Sequence, residues 1–255
     1  MSSDVISSIL KKGAGEMDLS LSAGMIDSFR VYNELLLSTN QYINLTAINS
    51  LEDIARLHFL DSLFLLKAVS FKNKKVLDVG SGAGFPGLPL RIVEPTIKLT
   101  LLDATKKRID FLVDLCRELN LDVLCIHARA EDVCHGTEPH ARAEDICHGT
   151  GPQNFREQFD IVVSRAVAQM NVLCELCLPY LRIGGFFPVM KGIDSDDEIK
   201  EALSAINILG AEVTDTIDYT IPDTGIRHRI ILLRKISKTP GNYPRRFARI
   251  EKKPL

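Results

Sequence analysis

The sequence predicts an α/β fold, in which a doubly wound, mainly parallel sheet follows a small helical lobe. Strand and helix patterns alternate from residue 75 onward, and the first strand, 75–79, leads directly into a glycine-rich turn. Before that point the apolar residues recur at helical spacing. We therefore expect a helical lobe over 1–70, an α/β domain over 71–235 and a tail over 236–255.

The individual elements follow from apolar spacing and from the positions of glycine and proline. Helical spacing predicts a helix over 21–39 and one or two helices over 51–69, with a loop between them at 42–48. Pro86 suits a first helical turn, where a missing N–H costs nothing. Strands are predicted at 75–79, 98–102, 122–127, 159–163, 184–190, 212–219 and 229–234, and further helices at 86–93, 105–119, 169–178 and 196–208.

The composition is typical of a folded protein without a membrane span. Hydrophobic residues make up 45% of the 255 residues and charged residues 25%, and no apolar run reaches the ~20 residues that a membrane helix needs. The N-terminus lacks a secretory pattern, and the six scattered cysteines indicate reduced thiols. Cys174 and Cys177 have C-x-x-C spacing without a second pair at zinc-ribbon distance. We expect a cytoplasmic protein that contacts no membrane and holds no metal.

The charges are divided unevenly along the chain. Residues 225–255 hold ten Lys or Arg against one acid, whereas the remainder holds 21 basic and 32 acidic residues. A basic end on an acidic body favours a polyanionic partner such as nucleic acid. The alternative is a tail that only aids solubility.

Residues 127–152 contain a tandem duplication. The segment HARAEDVCHGTEP (127–139) is followed at once by HARAEDICHGTGP (140–152). Two copies are too few for a repeat architecture, and a longer surface loop costs little closure entropy. We therefore expect a duplicated surface loop.

The turn Gly80-Ser81-Gly82-Ala83-Gly84 predicts a site for a nucleoside cofactor. Its glycines let the backbone approach a ligand and adopt positive φ. Both NAD and S-adenosylmethionine fit such a turn, and with either one Asp103, at the end of the second strand, is placed for the ribose hydroxyls. Asp78 favours S-adenosylmethionine, because a carboxylate there would repel a pyrophosphate and attract ammonium and sulfonium groups.

Further segments along nearly the whole chain resemble one known family, the ribosomal RNA small-subunit methyltransferase G family, also called GidB. They are 44–48, 58–63, LDVGSGAGFPGLPL (77–90), 102–103, KKRIDFL (106–112), RAE (129–131 or 142–144), 164–168, 191–192, 239–240 and 243–245. Each segment alone is unspecific, but the ordered set is specific. The tail departs at Phe247 and Ala248, where family members tend to have proline and glycine.

The resemblance implies a Rossmann-like methyltransferase that methylates guanine N7 in 16S ribosomal RNA, with S-adenosylmethionine as donor. The substrate is then 16S RNA or the small ribosomal subunit. For the Ala-Glu pair that contacts the cofactor, we prefer Ala130–Glu131 because it directly follows strand 122–127. Ala143–Glu144, in the second copy of the duplication, stays an open alternative. The cofactor residues expected from the resemblance and the turn are Asp78, Gly80, Gly82, Phe85, Asp103, Ala130, Glu131 and Arg165, with Arg165 also catalytic and Asn44, His58 and Lys191 contacting RNA.

The implied chemistry agrees with the residues. Guanine N7 has an in-plane lone pair and no proton, so methyl transfer needs positioning rather than a general base. Residues 164–166 (Ser-Arg-Ala) contain neither an Asn/Asp-Pro-Pro-aromatic motif nor a Pro-Cys nucleophile. Two other interpretations stay open at this point, namely a non-catalytic RNA-binding or ribosome-assembly factor and an NAD-type oxidoreductase.

Overall fold

An eight-stranded sheet forms the centre of the protein. The computed structural model describes residues 2–136, 146–147, 155–165 and 168–255. The strand order is β4-β3-β2-β1-β5-β6-β8-β7, in which β1, β2, β3, β5 and β6 run parallel and β4 and β8 are antiparallel to their neighbours. This arrangement confirms the predicted doubly wound fold. The strands are β1 (Lys75–Val79), β2 (Lys98–Asp103), β3 (Leu124–His127), β4 (Ile146–Cys147), β5 (Phe159–Val163), β6 (Leu181–Gly192), β7 (Ala211–Thr220) and β8 (Arg227–Lys235).

Helices cover both faces of the sheet. A π-helical turn at Ala55–Leu60 lies between α3 and α4, and a 3₁₀ turn at Leu178–Tyr180 follows α9. The described helices are α1 (Ser2–Glu16), α2 (Ala23–Asn40), α3 (Leu51–Ile54), α4 (Asp61–Leu63), α5 (Leu65–Ala68), α6 (Gly87–Val93), α7 (Lys106–Glu118), α8 (Ala130–His135), α9 (Met170–Cys177), α10 (Asp196–Ile208) and α11 (Phe247–Lys252).

Three of these helices, α1, α8 and α11, were not predicted. The apolar residues of α1, such as Ile6 and Leu10, are buried at helical spacing, but its two glycines weaken the helix signal. Gly13 allows a close approach, since a Cβ there would lie 2.3 Å from the Leu60 side chain. The expected tail over 236–255 contains α11, and the predicted strand 184–190 is longer at both ends in β6.

Two hydrophobic cores lie on opposite faces of the sheet. Neighbouring residues of one strand enter different cores, as Val76 and Leu77 do in β1 and Ile230 and Ile231 do in β8. Successive side chains of a strand point to opposite faces, so strands buried on both faces read as continuous apolar runs. The N-terminal helices share one core with α6 and α7, and α9 and α10 contribute to the other. The division into three parts remains a prediction.

The N-terminal helices also contact the glycine turn directly. The Tyr32 hydroxyl of α2 donates a hydrogen bond to the Ala83 carbonyl at 2.5 Å, and the Tyr32 ring stacks on Phe85 with centroids 5.3 Å apart. A Cβ on Gly84 would lie 2.5 Å from that hydroxyl. Among the described residues, no helix is both long and apolar enough to cross a membrane.

Candidate active site

The glycine turn exposes two backbone positions to open space. Gly80, Gly82 and Gly84 have φ of +70°, +57° and +99°, values that favour glycine. A Cβ on Gly80 would meet nothing within 4 Å, and one on Gly82 would meet only the Gly80 carbonyl oxygen at 3.9 Å. Gly84 and Gly87 are instead packed closely, as a Cβ on Gly87 would lie 2.7 Å from Asp78. The turn therefore offers a ligand a cradle along Gly80 and Gly82.

Asp78 lies beneath this turn and has no exposed surface. Its Oδ2 accepts a hydrogen bond from the Gly87 N–H at 2.8 Å, while Oδ1 has no hydrogen-bond partner among the described residues. Burial raises the pKa of this carboxyl group to about 7, against the lowering effects of the Gly87 bond and of the Arg165 charge. Asp78 can therefore influence a ligand through its charge without lining the cavity described next.

A cavity of about 190 Å³ adjoins the turn at the carboxyl ends of β1, β2 and β3. It brings together four of the predicted cofactor residues, Gly80, Asp103, Ala130 and Glu131. Arg129 precedes the first turn of α8 in extended conformation, so Ala130 and Glu131 begin that helix at the cavity wall. Ala143 and Glu144 lie outside the described residues.

Asp103 joins the second strand to the glycine turn. Its Oδ2 accepts from the Gly82 N–H at 2.9 Å and its Oδ1 from the Thr105 N–H at 2.8 Å. Arg108 lies 3.7 Å from Oδ2. Each carboxylate oxygen can accept a second bond, so Asp103 can still hold ribose hydroxyls from the cavity wall.

Two of the other residues that line this cavity, Leu176 and Phe247, come from distant parts of the chain and were not predicted. Leu176 lies on α9, where its apolar spacing indicated ordinary core packing. Phe247 lies in the tail, 116 residues after Glu131, and its main-chain N–H donates to Glu131 Oε1 at 3.1 Å. No local pattern reveals this contact.

Arg165, after β5, lies between the glycine turn and the N-terminal helices. Its guanidinium carbon is 4.7 Å from the centre of the Phe85 ring. It donates to the Leu57 carbonyl at 3.1 Å and to His58 Nδ1 at 2.8 Å. Phe85 and Arg165 are thus brought together, and Phe85 packs against Tyr32 as well as His58.

His58 is held in its neutral form. Arginine has only donors, so His58 Nδ1 accepts, and the ring proton lies on Nε2, 2.8 Å from Thr46 Oγ1. Burial and the Arg165 charge lower the pKa of His58 to about 3. Both ring nitrogens are therefore hydrogen-bonded within the protein, and the contact of His58 with RNA stays a prediction.

An acidic group behind Arg165 was also missed. Asp61, only 2% exposed, lies 3.6 Å from an Arg165 nitrogen. Its Oδ1 accepts from the Tyr219 hydroxyl at 2.8 Å and contacts His228 Nδ1 at 2.9 Å. The bond to Asp61 raises the pKa of His228. Asp61 belongs to the segment 58–63 that carried the family resemblance, but its partners lie on β7 and β8.

A second cavity, of about 560 Å³, is lined by Arg165. Its charged lining residues are Asp61, Arg165, Lys191, Glu198, Glu201 and His228. Lys191 is largely buried there and donates to Glu198 at 2.7 Å and to the Ala168 carbonyl at 2.6 Å. Asn44 lies apart from both cavities, exposed on the loop between α2 and α3.

Cys116, Cys134, Cys174 and Cys177 are free and buried. Burial raises the pKa of the Cys134 thiol to about 11 and the pKa of Cys174 and Cys177 further still. In the part of the chain that the structure describes, no three His, Cys, Asp or Glu side chains are grouped to hold a metal ion.

Two solved structures with a similar fold are named as methyltransferases. The fold is similar to that of an O-methyltransferase from Bacillus cereus in complex with SAH, with a TM-score of 0.57 and 17% identity over 90% of this chain and 100% of that one. A methyltransferase from Pyrococcus furiosus gives a TM-score of 0.50 and 14% identity over 83% and 98% of the two chains. The protein thus has the Rossmann-like fold of S-adenosylmethionine-dependent methyltransferases.

Comparison with known sequences shows the family to which the chain belongs. A family model described as rRNA small subunit methyltransferase G matches residues 25–224. Relatives named "Ribosomal RNA small subunit methyltransferase G" are 41% identical in Alkaliphilus oremlandii and 39% identical in Clostridium tetani, each over 97% of this chain and 98% of the relative. The chain belongs to the rRNA small subunit methyltransferase G family. This membership confirms the resemblance and decides for methyl transfer against the NAD-type alternative.

Proposed function

We propose that this protein transfers the methyl group of S-adenosylmethionine to N7 of a guanine in 16S ribosomal RNA. The observation that carries the proposal is the open cradle at Gly80 and Gly82 beside Asp103 and Ala130–Glu131, in a chain of this family. Side chains at both glycines would project into the space that a ligand needs. When bound, S-adenosylmethionine supplies the electrophilic methyl group.

The electrostatics of the cradle suit a cationic cofactor. Asp103 lies on the wall and Asp78 below it, and Asp78 has a buried oxygen without a partner among the described residues. A nearby positive charge would lower the pKa of Asp78 and favour its ionised form. A pyrophosphate would have the opposite effect.

The second cavity suits a nucleobase better than a phosphate. Lys191 is paired with Glu198, and Arg165 faces Asp61, so the cationic groups there are largely neutralised by acids. Guanine presents acceptors at N7 and O6 and donors at N1 and N2, and the lining offers both kinds of group. The A-form major groove is too narrow for side chains, so the target guanine is expected in an unpaired or loop position.

Catalysis then depends on placement. In our proposal Arg165 holds the target base, or the cofactor beside it, and neutral His58 and buried Asp61 keep the guanidinium in position. Guanine loses no proton when its N7 accepts the methyl group, so the reaction needs no general base. Asn44, His58 and Lys191 stay predicted RNA-contacting residues, with Asn44 on the exposed loop and Lys191 at the cavity.

The tail supplies further charge for the RNA backbone. Of the ten basic residues in 225–255, Arg227, Arg229 and Arg245 form ion pairs with acids, and Lys235 is fully buried. Exposed basic residues without an ion pair among the described residues are Arg234, Lys238, Arg246, Arg249, Lys252 and Lys253. Phosphate contacts of this kind make affinity fall with salt.

The test is methyl transfer from labelled S-adenosylmethionine to purified 16S RNA and to small ribosomal subunits in parallel, with the product nucleoside identified by mass spectrometry. We expect 7-methylguanosine at one site, and ribosomal RNA from a strain lacking the gene should lose that nucleoside. Binding of RNA or subunits without transfer to either would favour the alternative of a non-catalytic assembly factor.

A further inference from the structure

The C-terminal segment returns across the protein to the first cavity and is held by charged groups. Glu175 of α9 is fully buried and accepts from the Arg245 main-chain N–H at 2.8 Å, from Nε at 2.7 Å and from a terminal nitrogen at 2.6 Å. Arg156 donates to the carbonyls of Thr239 and Tyr243, each at 2.6 Å. These bonds determine where the chain enters α11.

This anchored path brings Phe247 to the cavity wall. Arg245, two residues earlier, is bound to Glu175, and Ile250, one turn later, is fully buried. The Phe247 N–H donates to Glu131 at 3.1 Å, and Phe247 lines the cavity together with Ala130 and Glu131. The tail therefore contributes both a side chain and a main-chain donor to the part of the cavity formed by β3 and α8.

We propose that Phe247 forms a wall of the adenine subsite for S-adenosylmethionine, which makes the C-terminal tail part of the cofactor site. This inference rests on the proposed function. In the cavity, Asp103 marks the ribose side and Ala130–Glu131 the far side, so a planar, aromatic base bound there comes next to the phenyl ring. Packing between aromatic rings contributes binding free energy beyond that of the apolar area they bury.

The test is calorimetric binding to the full-length protein, with S-adenosylmethionine and with 5′-methylthioadenosine, which carries the adenosine part without the amino acid. We expect Phe247→Ala to weaken both ligands by about 3- to 10-fold and by the same factor, since the lost contact is to the base. Phe247→Trp should bind like the wild type. Glu251→Ala is the matched control, because that residue of α11 is exposed and does not line the cavity.

Circular dichroism and thermal melting separate a folding defect from a binding defect. If Phe247→Ala does not fold, Phe247→Leu, which keeps an apolar side chain without a ring, should still weaken both ligands relative to Phe247→Trp. Affinities within twofold of wild type in the folded Ala or Leu variant, alongside loss of binding in Gly80→Val, would overturn the inference and leave the proposed function standing. Absence of S-adenosylmethionine binding in the wild type would overturn both.

Discussion

Replacing Asp78 with asparagine should remove a pH dependence from cofactor binding. The carboxyl group is fully buried and its pKa is raised to about 7. If the ionised form is the one that binds the cationic cofactor, the fraction available falls about 10-fold between pH 8 and pH 6, a loss of about 1.4 kcal/mol. Asparagine keeps an acceptor for the Gly87 N–H but has no charge to lose.

The assay is calorimetric titration of wild type and Asp78→Asn with S-adenosylmethionine from pH 6 to pH 8. The ammonium group of the cofactor titrates in a similar range, so the informative quantity is the difference in slope between the two proteins. We expect wild-type affinity to rise with pH more steeply than that of the variant, whose affinity should be weaker at pH 8. Parallel slopes would refute the role of this charge.

The same group predicts the pH dependence of stability in the absence of cofactor. The folded-state pKa of Asp78 lies above the unfolded value near 3.8, so the folded state binds the proton more tightly. The free energy of unfolding should therefore fall as pH rises from about 4 to about 7, with a contribution of about 4 kcal/mol from this group. Urea unfolding should show this trend in the wild type and a smaller one in Asp78→Asn.

Three further substitutions test other parts of the site. Gly82→Val should abolish S-adenosylmethionine binding in calorimetry, because φ is +57° and the side chain enters the cradle; unchanged affinity in a folded variant would contradict the site. Arg165→Ala should lower the rate of methyl transfer by about 100-fold with a smaller effect on cofactor affinity, and wild-type turnover would refute its placement. Arg245→Ala should cost about 3–5 kcal/mol in urea unfolding, because it leaves buried Glu175 unpaired. Adding Glu175→Gln should restore part of that loss, and a cost below about 1 kcal/mol would show that the pair contributes little.

The central strands could be predicted because both of their faces are buried, whereas the two-residue β4 lies within the expected surface loop 127–152 and was not predicted. Continuous apolar runs such as β1 and β5 then have few alternatives, and the glycine turn after β1 identifies the ligand edge. The helix α1 was harder to predict. Gly13 permits close contact with Leu60, but glycine lowers helix propensity.

The site was predictable where it is local and not where distant elements meet. Gly80, Gly82 and Asp103 follow strands directly, and a local pattern reveals them. The partners of Asp61 are 158 and 167 residues away, at Tyr219 and His228. These contacts form because β7 and β8 pair side by side at one end of the sheet, and no spacing in the sequence encodes that pairing.

The hydrogen bond from Tyr32 to Ala83 has a practical consequence for dissecting this protein. One residue of α2 supports the backbone of the turn and also fills the space beside Gly84. A fragment starting at residue 71 would contain every glycine of the turn yet lack the hydroxyl and the ring that brace it. Removing the first seventy residues should therefore loosen the nucleoside pocket and lower methyl-transfer activity even on a short RNA.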